Sequence, residues 1–274
     1  MQQGPGTTRV AVAGATGRMG RLASRIVEET DGFELVASLG SSSELDEMVG
    51  ADLLVEFTLP QVSPRLVEFA VDHGIRVLVG TSGWSSERVE SLRSRVDKAS
   101  GGVLIVPNFS IGSVIASSIS AMAARYFDSI EIVEAHHAGK IDSPSGTAVR
   151  TAELIGAARS ELGPVAAPHA DQRARGQQVA SIPIHSLRLQ GVHAKQDVLF
   201  GGTGEVLTIS HETLAPTAYE AGIRIALQAA RTTRGVSVGL DRLLDLRPAP
   251  VKDAGTSRPP GGETSGQAAT ATTP

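Results

Sequence analysis

The sequence contains no cysteine. That excludes a disulfide framework, a thiolate zinc site and cysteine nucleophilic catalysis together, and it suits a reducing compartment. Aromatic residues amount to only 3%, so a core must rest on Val, Ile, Leu and Ala. No run of about 18 apolar residues occurs, which predicts no membrane span. The opening residues MQQGPG lack the basic and apolar regions of a secretory leader, and a cytoplasmic location is expected. A surplus of positive charge is missing too. With a formal charge of −4 and a pI near 6.0, the chain lacks the basic balance that binding nucleic-acid phosphates requires. What is present is 274 residues, 41% hydrophobic and 20% charged, the composition of a soluble globular protein of one large or two modest domains.

Periodicity divides the chain. Over residues 1–107, short aliphatic runs alternate with helical stripes. The predicted strands are Arg9–Ala13, Leu35–Leu39, Leu53–Phe57, Val77–Val79 and Val103–Val106, with a helix over Arg18–Glu29 and another opening at Ser63 as N-cap with Pro64 first in the helix. Strands that are apolar throughout, separated by amphipathic helices, imply a Rossmann-type doubly wound parallel sheet in an α/β fold. After Pro107 a helix carrying Ile111, Val114, Ile115, Ile119 and Met122 on its apolar face leads to a strand at Ile130–Ala135 and a helix at about Thr147–Leu162. Strands at His185–Leu189, Asp197–Phe200 and Glu205–Glu212 follow, parted by turns rather than helices. This predicts a second, α+β domain with a mostly antiparallel sheet over 108–216. A closing helix near Ala218–Arg231 would pack back on the first domain and complete it over 217–247. Residues 248–274 are rich in Pro, Gly, Ser and Thr and nearly empty of large aliphatics, the composition of a disordered tail.

The turn after the first strand reads Gly14, Ala15, Thr16, Gly17, Arg18, Met19, Gly20. Glycines there let backbone amides approach a pyrophosphate at a helix N-terminus, so these residues are the candidate cofactor turn; the bland alternative is a tight strand-to-helix connection. A ribose-reading carboxylate belongs at the end of the second strand, yet Gly40 and Ser41 stand there and the first carboxylate is Glu44. Without a carboxylate to repel a 2′-phosphate, and with Arg18 near, NADPH is favoured over NADH. Phe57 and Thr58, then Gly80, Thr81 and Ser82, fall at carboxyl ends of strands, where they can line the nicotinamide ribose.

The densest chemistry lies in Glu134–Thr147, EAHHAGKIDSPSGT. Ser145, Gly146 and Thr147 open a helix and can offer amides to an anion; Lys140 adds positive charge, and a histidine can donate a proton near neutral pH. His136 and His137 could instead be metal ligands. Neighbours on a strand face opposite ways, however, and no third ligand stands at usual spacing, so no metal is expected. A packed or solvated histidine without function is the other alternative. Asn108 and Phe109, after Pro107, would form the hinge between the cofactor and substrate regions.

The strings GATGRMG, EFTLP, GTSGW, VPNFSIG, EAHHAGKIDSPSGTA and FGGTGEVLTISHE, spread over about residues 9–246, resemble the 4-hydroxy-tetrahydrodipicolinate reductase (dihydrodipicolinate reductase) family of lysine and diaminopimelate biosynthesis. The resemblance implies hydride transfer from NADPH or NADH to a small cyclic dicarboxylate imine with loss of water. It implies His136 as proton donor, Lys140 as its charge-neutralising partner, and His137, Ser145, Gly146 and Thr147 as substrate contacts. Gly14, Arg18, Met19 and Gly20 would hold the pyrophosphate; Phe57, Gly80, Thr81, Asn108 and Phe109 would line the nicotinamide ribose. A homotetramer built through the sheets of the second domain is implied as well. The chain departs from the family pattern at Ala138 and Gly139, where basic residues are common, at Gly40, Glu56 and Pro216, and at Lys195, where a histidine is common. A less basic pocket leaves open a paralogue reducing another cyclic imine. A non-catalytic NADP(H) sensor is the third reading, and the presence of both His136 and Lys140 weighs against it.

Overall fold

The computed structural model describes residues 6–244 and 246; the proposed tail at 248–274 lies outside the described residues. Five strands, β1 (Thr8–Ala13), β2 (Phe33–Leu39), β3 (Leu53–Glu56), β4 (Arg76–Val79) and β5 (Gly102–Ile105), form a wholly parallel sheet with a sixth, β11 (Gly235–Val238), in the order β11-β5-β4-β3-β1-β2. Because successive strand residues face opposite sides, the apolar runs supply two cores at once. Ala11, Leu54, Val77 and Val103 meet α2 (Ser63–Asp72) and α3 (Ser86–Lys98) through Val67, Ala70, Leu92 and Val96. Val10, Val12, Leu53, Val55 and Leu104 meet α1 (Arg18–Glu28) and α6 (Glu220–Ala230) through Ala23, Ile26, Ile223 and Leu227. Helix α6 thus packs on this sheet.

Between them lie α4 (Ile111–Ala123), α5 (Gly146–Ala158) and the strands β6 (Ser129–His137), β7 (Gln177–Val179), β8 (Ile182–Leu189), β9 (Ala194–Gly202) and β10 (Glu205–Thr213), sheet order β10-β9-β6-β8-β7. Three of the four pairings are antiparallel, as the short turns imply, but the central β6–β8 pair is parallel because α5 and the polar segment after it carry the chain back across the sheet. Ile130, Ile132, Ile184, Val198 and Phe200 pack on Ala148, Ala152 and Ile155 of α5.

Several local expectations are corrected. Ser63 is the first residue of α2 rather than its N-cap, because its hydroxyl is drawn to the buried Glu56 carboxylate at 2.6 Å. The helix expected to reach Leu162 stops at Ala158. Strands β7 and β11 are additional; each is only a few residues long. The apolar stripe of α4 is buried only in part: Ile111 and Val114 pack on the core of the parallel sheet, whereas Ile119 is 47% and Met122 61% exposed, and the most deeply buried positions are Ser113, Ser117 and Ser120. Small serines let α4 approach α5 closely, and the Ser117 and Thr151 hydroxyls bond across the contact at 2.8 Å.

Candidate active site

The cofactor turn is built by packing demands that only glycine meets. Gly14 has φ +78°, and a Cβ there would fall 2.2 Å from the Phe57 carbonyl oxygen; one on Gly20 would fall 2.0 Å from the Gly14 carbonyl oxygen. These two glycines draw β1, β3 and the first turn of α1 together. Gly17 is less constrained: a Cβ there would meet only the Gly14 carbonyl oxygen, tightly, at 3.2 Å. Gly14 and Ala15 amides donate to the Leu39 carbonyl at 3.0 and 3.1 Å, which fixes the turn to β2, while Thr16 and Gly17 are exposed. Gly17 caps α1 with no side-chain bond and no acidic residue lies in the first turn, so the Arg18, Met19 and Gly20 amides have no competing anion of their own helix. Such a cradle, with Arg18 exposed beside it, fits a dinucleotide pyrophosphate.

The loops after β3 and β4 are organised by one carboxylate. Glu56, fully buried, accepts bonds from the Thr58 amide (2.7 Å), the Thr58 hydroxyl, Ser63 (2.6 Å) and Thr81 (2.7 Å). Ser63 accepts in turn from the Trp84 indole at 3.1 Å. The Thr58 and Thr81 hydroxyls are thus engaged inside the loops, leaving Phe57 and Gly80 to face the cleft. A Cβ on Gly80 would lie 2.1 Å from the Phe57 ring, which itself sits 5.3 Å from the Phe109 ring. Ser82 does not reach the cleft lining, nor do Gly40 and Ser41, which follow β2; the Gly40 amide donates to Ser43 at 3.2 Å. Glu44, the first carboxylate after β2, is occupied in a reciprocal cap with Glu47.

A cleft of about 230 Å³ separates the two sheets. It brings together Arg18, Met19, Phe57, Gly80, Pro107, Asn108 and Phe109 from one side and His136, Ser145 and Thr147 from the other. Asn108 spans the junction: its Nδ2 donates to Ser113 at 2.9 Å and to Thr147 Oγ1 at 3.2 Å. Ser145 caps α5, its hydroxyl accepting from the Ala148 amide at 3.3 Å. The Gly146 and Thr147 amides, first in that helix, have no intrahelical acceptor, and a helix N-terminus of this kind can receive an anion.

His136 and His137 end β6 and diverge as strand alternation requires: the His136 ring lines the cleft, and His137 is exposed outside it. His136 Nδ1 lies 2.6 Å from Glu134 Oε2, which leaves Nε2 as the ring's free nitrogen. Glu134 is fully buried and also takes the Ser145 amide at 3.1 Å and both terminal nitrogens of Arg188 at 3.0 Å. Burial alone would raise its carboxyl, but hydrogen bonds from His136 and Arg188 outweigh that and hold it down at about 2. Lys140 stands apart from the cleft lining, on the loop after β6, with its Nζ 2.7 and 2.8 Å from the Asp142 carboxylate.

Ser113, Lys195, Gln196, His211, Thr213 and Tyr219 also line the cleft and were not predicted as site residues. His211 falls inside the expected strand Glu205–Glu212, whereas β9 begins at Ala194, before the expected Asp197, so Gln196 lay outside the expected strand; the alternation of β9 and β10 sets both inward. Burial lowers the His211 imidazole. His193, in the β8–β9 turn, is lowered by burial first and then by the nearby Arg18, His137 and His136. Lys195 is paired with Asp197 at 3.0 Å. Among the described residues no group of three or more His, Asp or Glu side chains is placed to hold a metal ion, and no helix is long and apolar enough to cross a membrane.

Comparison with known proteins identifies the family. The family model described as dihydrodipicolinate reductase, N-terminus, matches residues 8–109, and that described as dihydrodipicolinate reductase, C-terminus, matches 112–244. The 4-hydroxy-tetrahydrodipicolinate reductase of Clavibacter michiganensis subsp. michiganensis is 65% identical over 274 residues, covering 97% of this chain and 99% of the relative. That of Streptomyces griseus subsp. griseus is 46% identical, covering 87% and 98%. Among solved structures, the dipicolinate-bound dihydrodipicolinate reductase from Paenisporosarcina sp. TG-14 superposes with a TM-score of 0.73 at 28% identity, over 87% of this chain and all of the other. With both halves matched and close relatives aligned end to end, the chain belongs to the dihydrodipicolinate reductase family.

Proposed function

We propose that the chain reduces 4-hydroxy-tetrahydrodipicolinate to tetrahydrodipicolinate in lysine and diaminopimelate biosynthesis, in the cytoplasm, with a nicotinamide dinucleotide as cofactor and NADPH preferred. The observation that carries the reading is the placement of the His136 ring in a cleft bounded by a glycine cradle on one side and the α5 amide terminus on the other. The dinucleotide, when bound, supplies a hydride. Arg18, Met19 and Gly20 amides would hold its pyrophosphate, and Phe57, Gly80 and Phe109 would line the nicotinamide ribose. The Gly146 and Thr147 amides bind one substrate carboxylate, with Thr147 Oγ1 positioned by Asn108. His136, its Nδ1–H kept on Glu134, takes up a proton at Nε2 to become the imidazolium and delivers that proton as water departs. One hydride and one proton are consumed for each water released. Closure of the two domains would exclude solvent and bring Lys140 and His137 toward the substrate's charges.

The NADPH preference rests on Gly40 where a ribose-reading carboxylate would repel a 2′-phosphate, on the engagement of Glu44 with Glu47, and on the exposed Arg18. The homotetramer is inferred from the sheet of the second domain, whose strand β8 leaves Leu187 and Leu189 44% and 48% exposed.

The test is oxidation of NADPH and NADH followed at 340 nm, with substrate generated in situ from pyruvate and aspartate semialdehyde by the upstream synthase. Turnover with both, faster with NADPH, is expected. Cofactor binding without turnover would overturn the substrate, and a preference for NADH would overturn the reading of Gly40.

A further inference from the structure

We propose that Arg188 is a positioning residue of the proton-donor site, acting through Glu134 to hold the His136 imidazole and the N-terminus of α5 in one frame. The inference rests on the reading of His136 as proton donor. Arg188 does not line the cleft, so whatever it does for the reaction it does through other groups. It lies on β8 directly opposite His136 in the parallel ladder, and Glu134 is two residues before His136 on the same face of β6. A carboxylate has about four lone-pair sites, and Glu134 fills them. Oε2 receives His136 Nδ1 at 2.6 Å and Arg188 at 3.0 Å; Oε1 receives the Ser145 amide at 3.1 Å and Arg188 at 3.0 Å. Each oxygen that serves the site is thus also gripped by one tine of the same planar guanidinium. That bidentate geometry fixes the carboxylate plane, and with it the directions in which the imidazole and the α5 cap can bond.

The guanidinium has a third attachment. It donates to the Asp142 carbonyl at 2.6 Å, tethering the loop that carries Lys140. Three parts of the site that come from different elements are tied to one side chain: the proton donor on β6, the amide terminus of α5 and the loop between them. A buried ion pair of this kind contributes little net stability compared with an apolar replacement. Its distinctive effect is orientation, as for the partners that orient metal-bound histidines, whose loss lowers activity by roughly 10- to 100-fold.

The experiment compares wild type, Arg188→Met and Arg188→Lys in two assays. In steady-state kinetics, R188M is expected to lower kcat by about 10- to 100-fold with the dissociation constant for NADPH unchanged, since the cradle lies in the other sheet. R188K is expected to regain part of that loss, because an ammonium can hold one oxygen but not both. The second assay needs no substrate: in protein labelled with [15N]histidine, the His136 ring nitrogens should show a fixed tautomer protonated at Nδ1 in wild type and tautomer averaging in R188M. A kcat in R188M within about threefold of wild type, or His136 resonances unchanged by the substitution, would overturn the proposal. If R188M does not fold, R188K decides on the same two readouts. A wild type inert toward the proposed substrate would defeat the functional reading, while the resonances would still decide the role of Arg188.

Discussion

Glu134→Gln isolates the charge on which the site is assembled. The Glu134 carboxyl lies at about 2 in the folded protein against an ordinary value of 4.5. Burial opposes that ionisation; the bonds from His136 and Arg188 more than compensate for it. A gap of roughly 2.5 at 1.36 kcal/mol per pH unit is worth about 3 kcal/mol of folding stability at neutral pH. Because the folded value is the lower one, this stabilisation is complete well above pH 4.5 and is lost as the pH falls toward 2. The same two values leave about 1.4 kcal/mol at pH 3, so about 2 kcal/mol disappears between pH 7 and pH 3. Glutamine keeps the shape, cannot ionise, and turns an amide NH2 toward a guanidinium that can only donate. Urea unfolding of both proteins by circular dichroism at pH 7 and pH 3 measures the effect. The stability difference between wild type and E134Q should narrow by about 2 kcal/mol on acidification. Parallel curves, with the difference constant within about 0.5 kcal/mol, would refute the claim that the native network holds Glu134 ionised.

His136→Ala should lower kcat by roughly 100- to 10,000-fold, the range for loss of a general acid, with NADPH binding by fluorescence unchanged; near-normal turnover would remove His136 from the mechanism. Gly20→Ala places a methyl 2.0 Å from the Gly14 carbonyl oxygen, and should weaken NADPH binding more than about tenfold while destabilising the fold by about 1–3 kcal/mol; fluorescence titration and urea unfolding check the two parts. Lys140→Ala should raise the Michaelis constant for the substrate and slow turnover, whereas an unchanged constant would leave the Lys140–Asp142 pair as a local tether only.

The parallel sheet was legible because its signals are local. Val10 to Ala13 and Leu53 to Val55 are uniformly apolar, and with amphipathic helices between them such short strands are buried on both faces in a parallel sheet. The elements that escaped notice lack that signal. β11 brings only Val236 and Val238 to the core beside its pairing with β5, too short a run to stand out, and β7 pairs only with β8 at the edge of its sheet. Helix α4 shows the same limit: the first turns of its aliphatic stripe, Ile111 and Val114, pack on the core as periodicity predicts, but close approach to α5 buries the serine face and leaves Ile119 and Met122 exposed. Which face packs is decided by the partner helix, which periodicity does not contain.

The candidate site shows the same division. Residues whose chemistry follows from position on one element, such as the glycines around α1 and the cap at Ser145, could be picked out from spacing. Glu134 and Arg188 are 54 residues apart in sequence, and the two hydrogen bonds that join them exist only because β8 lies parallel to β6. Glu56 is similar: its donors Ser63 and Thr81 are 7 and 25 residues away, and alone it looks like a charged residue ending a strand. In both cases a buried carboxylate gathers donors from separate loops and so sets the geometry of residues that face the cleft. The cleft-lining residues carry the recognisable strings, while the carboxylates behind them make those strings converge. Each such carboxylate has all its donors inside the protein, so its contribution should appear as lost orientation when a donor is removed, with little change in what the cleft can touch.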